Sequence, residues 1–212
     1  HAVAAGVGPL AGRVRSFFLG GEQGAWYDPS DLSTMFQASA ASTGEQVPIT
    51  ATGQSVGLIL DKRLGLALGS PASSNMDFAT AGTGWFVFNE DGTHIVTFGT
   101  GSCRFQSDTT TPALRLDKAS VYTAGLWYRI DVTLSAHVSG TIKITGGAFE
   151  VIVPGSVGTH SLYFLASATT FSFTRNSTNV DLTIASFVVR PVAGNHAYQT
   201  TTGLRPIYRH VN

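Results

Sequence analysis

Residues Trp127-Tyr128-Arg129-Ile130-Asp131-Val132-Thr133-Leu134 alternate apolar and polar side chains without a break. Successive side chains of an extended chain point to opposite faces. Tyr128, Ile130, Val132 and Leu134 therefore share one face, and Trp127, Arg129, Asp131 and Thr133 the other. A helix would need a period near 3.6, so this stretch reads as a strand with one buried face. Shorter runs of the same kind lie on both sides. Upstream are Phe86-Val87-Phe88, a turn at Asn89-Glu90-Asp91-Gly92, His94-Ile95-Val96-Thr97-Phe98 ending at Gly99-Thr100-Gly101, then Arg104-Phe105-Gln106 and Ala113-Leu114-Arg115-Leu116. Downstream, residues 141–145 and 148–153 flank Gly146-Gly147, a hairpin signal closed by Pro154-Gly155. Runs at 161–165, 170–174 and 180–189 complete the series. Nearly a dozen strands at roughly 8–12-residue spacing predict an all-β, antiparallel two-sheet sandwich. No strand–helix alternation is present, which argues against a doubly wound fold.

Composition agrees. The chain has 212 residues, of which 24 are Gly and only 12% are charged, and its formal net charge is zero. With no basic field and no run of five or more Lys or Arg, a nucleic-acid partner is not expected. No apolar stretch approaches the roughly 18 residues that a membrane span needs, so no membrane insertion is expected. The opening residues 1–8 have neither a basic start nor a long apolar core and are read as neither leader nor anchor. The single Cys excludes an internal disulfide framework. Cys103 lies in an alternating run and reads as a small buried residue.

The two ends differ from the middle. Asp31 to Gln37 reads as one short helix, capped by Ser30 or Asp28. Residues 38–54 are rich in Ser, Thr and Gly and read as a surface loop, and residues 194–212 as a polar tail. Neither end has enough apolar residues to fold alone. Phe17, Phe18, Leu19, Trp26, Tyr27, Met35 and Phe36 are nonetheless too apolar to stay exposed. They must pack on the sandwich or on a neighbouring chain.

Three segments carry a resemblance. Gly24-Ala25-Trp26-Tyr27-Asp28-Pro29-Ser30-Asp31-Leu32-Ser33-Thr34-Met35-Phe36-Gln37, continued by Val47-Pro48-Ile49-Thr50-Ala51-Thr52-Gly53-Gln54 and Gly57-Leu58-Ile59-Leu60-Asp61-Lys62, resembles a segment that recurs in modular bacteriophage and prophage tail proteins. Asn75-Met76-Asp77-Phe78 with Thr83-Gly84-Trp85 is similar to the opening of carbohydrate-binding jelly rolls often found inside such proteins. Tyr122 to Ile130 and Leu182 to Val189 match their later strands. Gly194-Asn195-His196-Ala197-Tyr198-Gln199, then Leu204-Arg205-Pro206, resembles the segment that follows in tail proteins.

The resemblance implies a jelly roll at 70–192, between an N-terminal linking segment at 1–69 and a C-terminal one at 193–212. It implies a virion protein acting outside the cell. Its partners would be a bacterial surface polysaccharide or other host receptor and other tail proteins, with a homotrimer as the assembly. It also points to Asp77 and Asn75 as contributors to a calcium site, although Met76 and Ser186 depart from the pattern. Without that ion no cofactor is expected. Trp85 and Tyr128 match core positions, and His196 reads as a structural hydrogen-bonder.

Catalytic signals are absent. There is no Gly-x-Ser-x-Gly elbow and no His-Glu-x-x-His, and the six His are dispersed. Glu90 with Asp91, or Asp117 with Asp131, leave only a remote hydrolase reading. Sugar recognition needs a flat apolar surface beside directional donors and acceptors. Trp127, Arg129 and Asp131, with Arg104, Gln106 and Arg115 outward by the same alternation, form the expected ligand-binding surface. The alternative is a face packed on the N-terminal segment or another subunit. The expectation is a non-catalytic receptor-binding module. A structural or assembly domain making only protein contacts, and an accessory module of a carbohydrate-active enzyme, are the alternatives.

Overall fold

The computed structural model describes residues 24–38, 46–176 and 178–209. Among the described residues, thirteen strands fall into three antiparallel sheets. They are β1 (Met35–Phe36), β2 (Leu58–Ile59), β3 (Phe86–Phe88), β4 (His94–Gly99), β5 (Ser102–Ser107), β6 (Arg115–Lys118), β7 (Trp127–Ser139), β8 (Ile142–Thr145), β9 (Glu150–Ile152), β10 (Gly158–Leu165), β11 (Phe171–Arg175), β12 (Val180–Pro191) and β13 (Ala197–Tyr198). One main sheet runs β10-β7-β12-β5-β4 and the other β3-β6-β11-β8-β9. Their inner faces enclose the core of a jelly-roll sandwich. A small third sheet, β1-β2-β13, is built from both ends of the chain.

The alternation of β7 holds in space. Tyr128, Ile130, Val132 and Leu134 are buried in the sandwich core with Cys103, Phe105, Phe164, Phe171, Phe173 and Phe187. Burial pushes the Cys103 thiol up to about 12, so it is an inert packing group. Trp85 stacks on Phe78 at 5.3 Å and meets Phe171 and Phe173 edge-on at 5.9 Å. Beside the paired strand β7, the register of β12 shifts between Ile184 and Ser186. Two successive residues, Ala185 and Ser186, thus leave the core, and Phe187 and Val189 return to it, as a β-bulge requires. In the β8–β9 hairpin Gly147 has φ +99°, and a Cβ there would clash with Ser167 Oγ, which explains the glycine.

The expected helix at 31–37 is a single 3₁₀ turn, Leu32–Thr34, among the described residues. Its cap is Asp31, which accepts from Ser33 N–H, rather than Ser30 or Asp28. Asp28 instead closes a local turn by accepting from Ser30 N–H. The chain then extends because Met35 and Phe36 pair with Ile59 and Leu58 and are buried. That long-range pairing outweighs local helical preference. The loop expected at 38–54 is also not free where it is described. Ile49 is buried and its N–H donates to Met35 O at 2.9 Å. Gln46 uses its amide as a strand mimic, accepting from Tyr163 N–H and donating to Tyr163 O on the edge strand β10. Phe17, Phe18 and Leu19 lie outside the described residues. Phe36 packs on the sandwich, 5.4 Å from the Tyr163 ring.

Candidate functional site

Outward positions of the β3-β6-β11-β8-β9 sheet line up in two rows across the strands. One row is Phe86, Asp117, Ser172, Thr145 and Glu150; the next is Phe88, Arg115, Thr174, Lys143 and Ile152. Leu116, Phe173 and Ile144 alternate with them into the core. Phe86 and Phe88 are 55% and 41% exposed on the edge strand. The Arg115 guanidinium lies 4.5 Å from the Phe88 ring centre, and its Nε is 3.0 Å from Asp117 Oδ1. Lys143 pairs with Glu150 at 2.9 Å. Five strands span about 19 Å at roughly 4.8 Å spacing. The face thus offers aromatic rings at one edge and, across it, planar or hydroxylic groups whose charges are paired.

The outer face of the other main sheet is different. Arg104 clasps Asp181 through two bonds of 3.0 and 2.8 Å, and Gln106 donates to the same carboxylate at 3.3 Å. The Arg104 bond is the main cause that holds the Asp181 carboxyl below the usual range. Arg129 bonds Asp131 at 2.8 Å and Ser161 at 3.1 Å, and Ser161 donates to Asp131. Here the polar groups are spent on one another, and the ring beside them, Tyr163, is half-buried under Phe36.

The six expected ligand-binding residues therefore do not converge. Arg104 and Gln106 sit on β5, and Arg129 and Asp131 on β7. Arg104 faces Thr183 and Arg129 faces Arg190 along β12, roughly 20 Å apart. Arg115 belongs to the opposite sheet. Trp127 points outward as its alternation demands, yet it is only 8% exposed. It is covered by Phe36, Leu58, Leu60 and Val192 and stands edge-on to His196 at 5.1 Å. It is a docking residue for the small sheet rather than a sugar platform. Phe86 and Phe88 are the exposed rings of the two main sheets among the described residues. With Trp85 inward, strict alternation already places Phe86 and Phe88 outward.

The small sheet is organised by a polar hub. The fully buried Asp61 carboxylate accepts three backbone N–H groups, from Trp26, Arg63 and Asn195, each at 2.8 Å. Asp61 N–H donates to His196 Nδ1 at 2.9 Å. Desolvation lowers the His196 pKa to about 4 despite the nearby Asp61 charge, so the imidazole is neutral at pH 7. Lys62 bridges Asp28 and Asp31 at 2.9 and 2.8 Å over the Trp26 ring.

The groups that suggested hydrolysis have other roles. Asp91 caps a turn by accepting from Thr93 and His94 N–H, and Glu90 accepts from Val96 N–H on the free edge of β4. Asp117 and Asp131 face outward from opposite sheets and cannot flank one glycosidic bond. The buried His94 ring is held at both nitrogens, by Ser107 Oγ at Nδ1 (3.0 Å) and Thr110 Oγ1 at Nε2 (3.1 Å), and the Thr110 hydroxyl donates to Asp108.

At the expected calcium position, Asn75 spends its amide on Ala81 O, Thr83 O and Thr80 N–H, and its carbonyl oxygen accepts from Trp85 Nε1 at 3.1 Å. Asp77 accepts from Ala79 N–H. The Lys118 ammonium already lies 5.2 Å over the same Trp85 ring. Among the described residues, no group of three or more His, Cys, Asp or Glu could hold a metal, and no helix is long and apolar enough to cross a membrane.

No family model and no curated protein matches the chain. Among solved structures it is similar to a CBM4 module, with 12% identity over 56% of this chain and 98% of that one and a TM-score of 0.40. It is also similar to the CBM22-1 xylan-binding domain of Paenibacillus barcinonensis Xyn10C, with 14% identity over 69% and 100% and a TM-score of 0.35. The enzymatically active domain of Bacteriophage CBA120 tailspike protein 4 gives 11% identity over 57% of this chain but only 21% of the tailspike, with a TM-score of 0.43. The assignment of an all-β jelly-roll sandwich rests on the strand order and register given above.

Proposed function

We propose that this chain is a non-catalytic carbohydrate-binding module of a phage tail protein, recognising a host-surface polysaccharide on the outer face of the β3-β6-β11-β8-β9 sheet. The observation that carries the reading is the exposed Phe86–Phe88 pair beside the Arg115–Asp117 and Lys143–Glu150 rows. It supplies a flat apolar surface next to directional polar groups, the combination a sugar ring requires. The tail-protein part rests on the resemblance of the 24–62 and 194–206 segments. Their residues meet in one polar hub that mounts the sandwich, a role suited to a linking segment. Assembly into a homotrimer, contacts with other tail proteins and a place on the virion belong to the same reading.

An array of bacterial surface polysaccharides probed with the whole chain tests this. Binding to one or a few glycans is the expected result. Silence across the array, with binding to another tail protein, would replace the reading with a structural or assembly domain. The solvent-exposed phenylalanines would then be a protein interface.

A further inference from the structure

The chain has three lysines, and they are held in different ways. Lys62 bridges Asp28 and Asp31, and Lys143 pairs with Glu150. Lys118 makes no hydrogen bond and no ion pair among the described residues. It is the last residue of β6 and is buried on the core side of that strand, with Leu116. Phe171 stands opposite it on β11. The pairing of Phe86 with Asp117, continued by one residue, puts Trp85 on its other side. Its chain neighbour Asp117 faces outward and is held by Arg115.

The Lys118 ammonium therefore sits between core aromatics without a counter-charge. The residue as a whole is 6% exposed, and Nζ lies 5.2 Å from the Trp85 ring centre. Its tip is nevertheless not sealed. Tyr122 Oη and His196 Nε2 are closed off from solvent and unbonded, whereas Lys118 Nζ, also unbonded, keeps contact with solvent. Gly84 flanks it. A Cβ there would come within 3.2 Å of Nζ, so the glycine leaves that side of the amine without a covering side chain.

An ammonium is stabilised by water or by a carboxylate. Burial removes most of the first, and the second is absent; a ring face replaces them only in part. Desolvation holds the Lys118 amine below the usual lysine range. Lys62, despite its own desolvation, is held above that range by its bonds to Asp31 and Asp28. A larger share of Lys118 thus carries a free lone pair at neutral pH, and the lone pair is what attacks a carbonyl.

We propose that Lys118 Nζ is a covalent modification site, at which small uncharged aldehydes condense ahead of the other two lysines. The neutral amine adds to the carbonyl carbon and forms a carbinolamine. The C–O bond then breaks, and the oxygen leaves as water with both amine protons. The product is a C=N imine, and nothing is oxidised or reduced. The ring walls of Trp85 and Phe171 favour an uncharged reagent, because a charged one would lose its hydration there. The site lies at the inner side of β6 and does not depend on the polysaccharide reading.

The test treats the whole chain with glycolaldehyde at neutral pH, with cyanoborohydride reducing each imine as it forms. Peptide mass spectrometry then follows the adducts at Lys62, Lys118 and Lys143 over time. Lys118 should acquire its adduct several-fold faster than either of the others. In urea, where burial and ion pairs are lost, the three rates should converge. Across a pH series the Lys118 rate should level off at a lower pH than the Lys143 rate. Equal rates in the folded chain, a Lys118 slower than the others, a preference that persists in urea, or Lys118 and Lys143 rates that climb in parallel with pH would each overturn the proposal.

Discussion

The sandwich and the small terminal sheet solve the same problem in opposite ways. The sandwich is held by interlocking rings around Trp85, Phe171, Phe173 and Phe187, and its stability comes from apolar burial. The terminal sheet has strands of only two residues, too few to bury much apolar surface. It relies on a buried carboxylate that ties three distant backbone segments together. The first kind of core spreads its stability over many apolar contacts. The second depends on single atoms, and one protonation or one deletion disorganises it.

The largest effect should come from the ring cluster. Phe187→Ala removes a fully buried ring and should lower global stability by about 3–5 kcal/mol, read by chemical denaturation. Asp61→Ala should cost about 3 kcal/mol, because it strands the N–H groups of Trp26, Arg63 and Asn195. Its loss should be local: hydrogen exchange should quicken at Leu58 and Tyr198 while Ile130 and Phe173 stay protected. Equal deprotection of both regions would erase the contrast.

Acid should act on the same region. The His196 pKa is lowered to about 4, against 6.5 for the free side chain. The folded state therefore binds fewer protons than the unfolded state between these values, and stability falls as pH falls from 6.5 towards 4. The loss should reach about 2 kcal/mol by pH 5 and about 3 kcal/mol below pH 4. The emission of Trp127, edge-on to His196, reports it, and His196→Gln should flatten the profile.

The smallest stability effect belongs to the outer face. Phe86→Ala should change stability by no more than about 0.5 kcal/mol, since that ring is 55% exposed.

These contrasts also mark what could be read from the chain. Period-two alternation around Trp127–Leu134 gave the inward and outward sets correctly, because it depends only on neighbouring residues. Outward did not mean exposed. Trp127 is covered by Phe36 and Leu58, brought there by pairing with β13 from the other end of the chain. Alternation also cannot say which sheet a strand joins, so Arg115 was grouped with Arg104 and Arg129 although it lies on the far side of the sandwich. The turn at 32–34 escaped for a similar reason. Asp31 and Lys62, 31 residues apart in sequence, fix it together. Phe86 and Phe88 were within reach, since the inward Trp85 dictates their direction.

The most direct test is binding of the recognised polysaccharide to variants of the two outer faces, measured by titration calorimetry. Phe86→Ala/Phe88→Ala should weaken binding by about 1–2 kcal/mol per ring while the protein stays folded, and Arg104→Ala, on the other main sheet, should leave affinity unchanged. Unchanged affinity in the double variant, or loss on Arg104→Ala alone, would contradict the placement of the site.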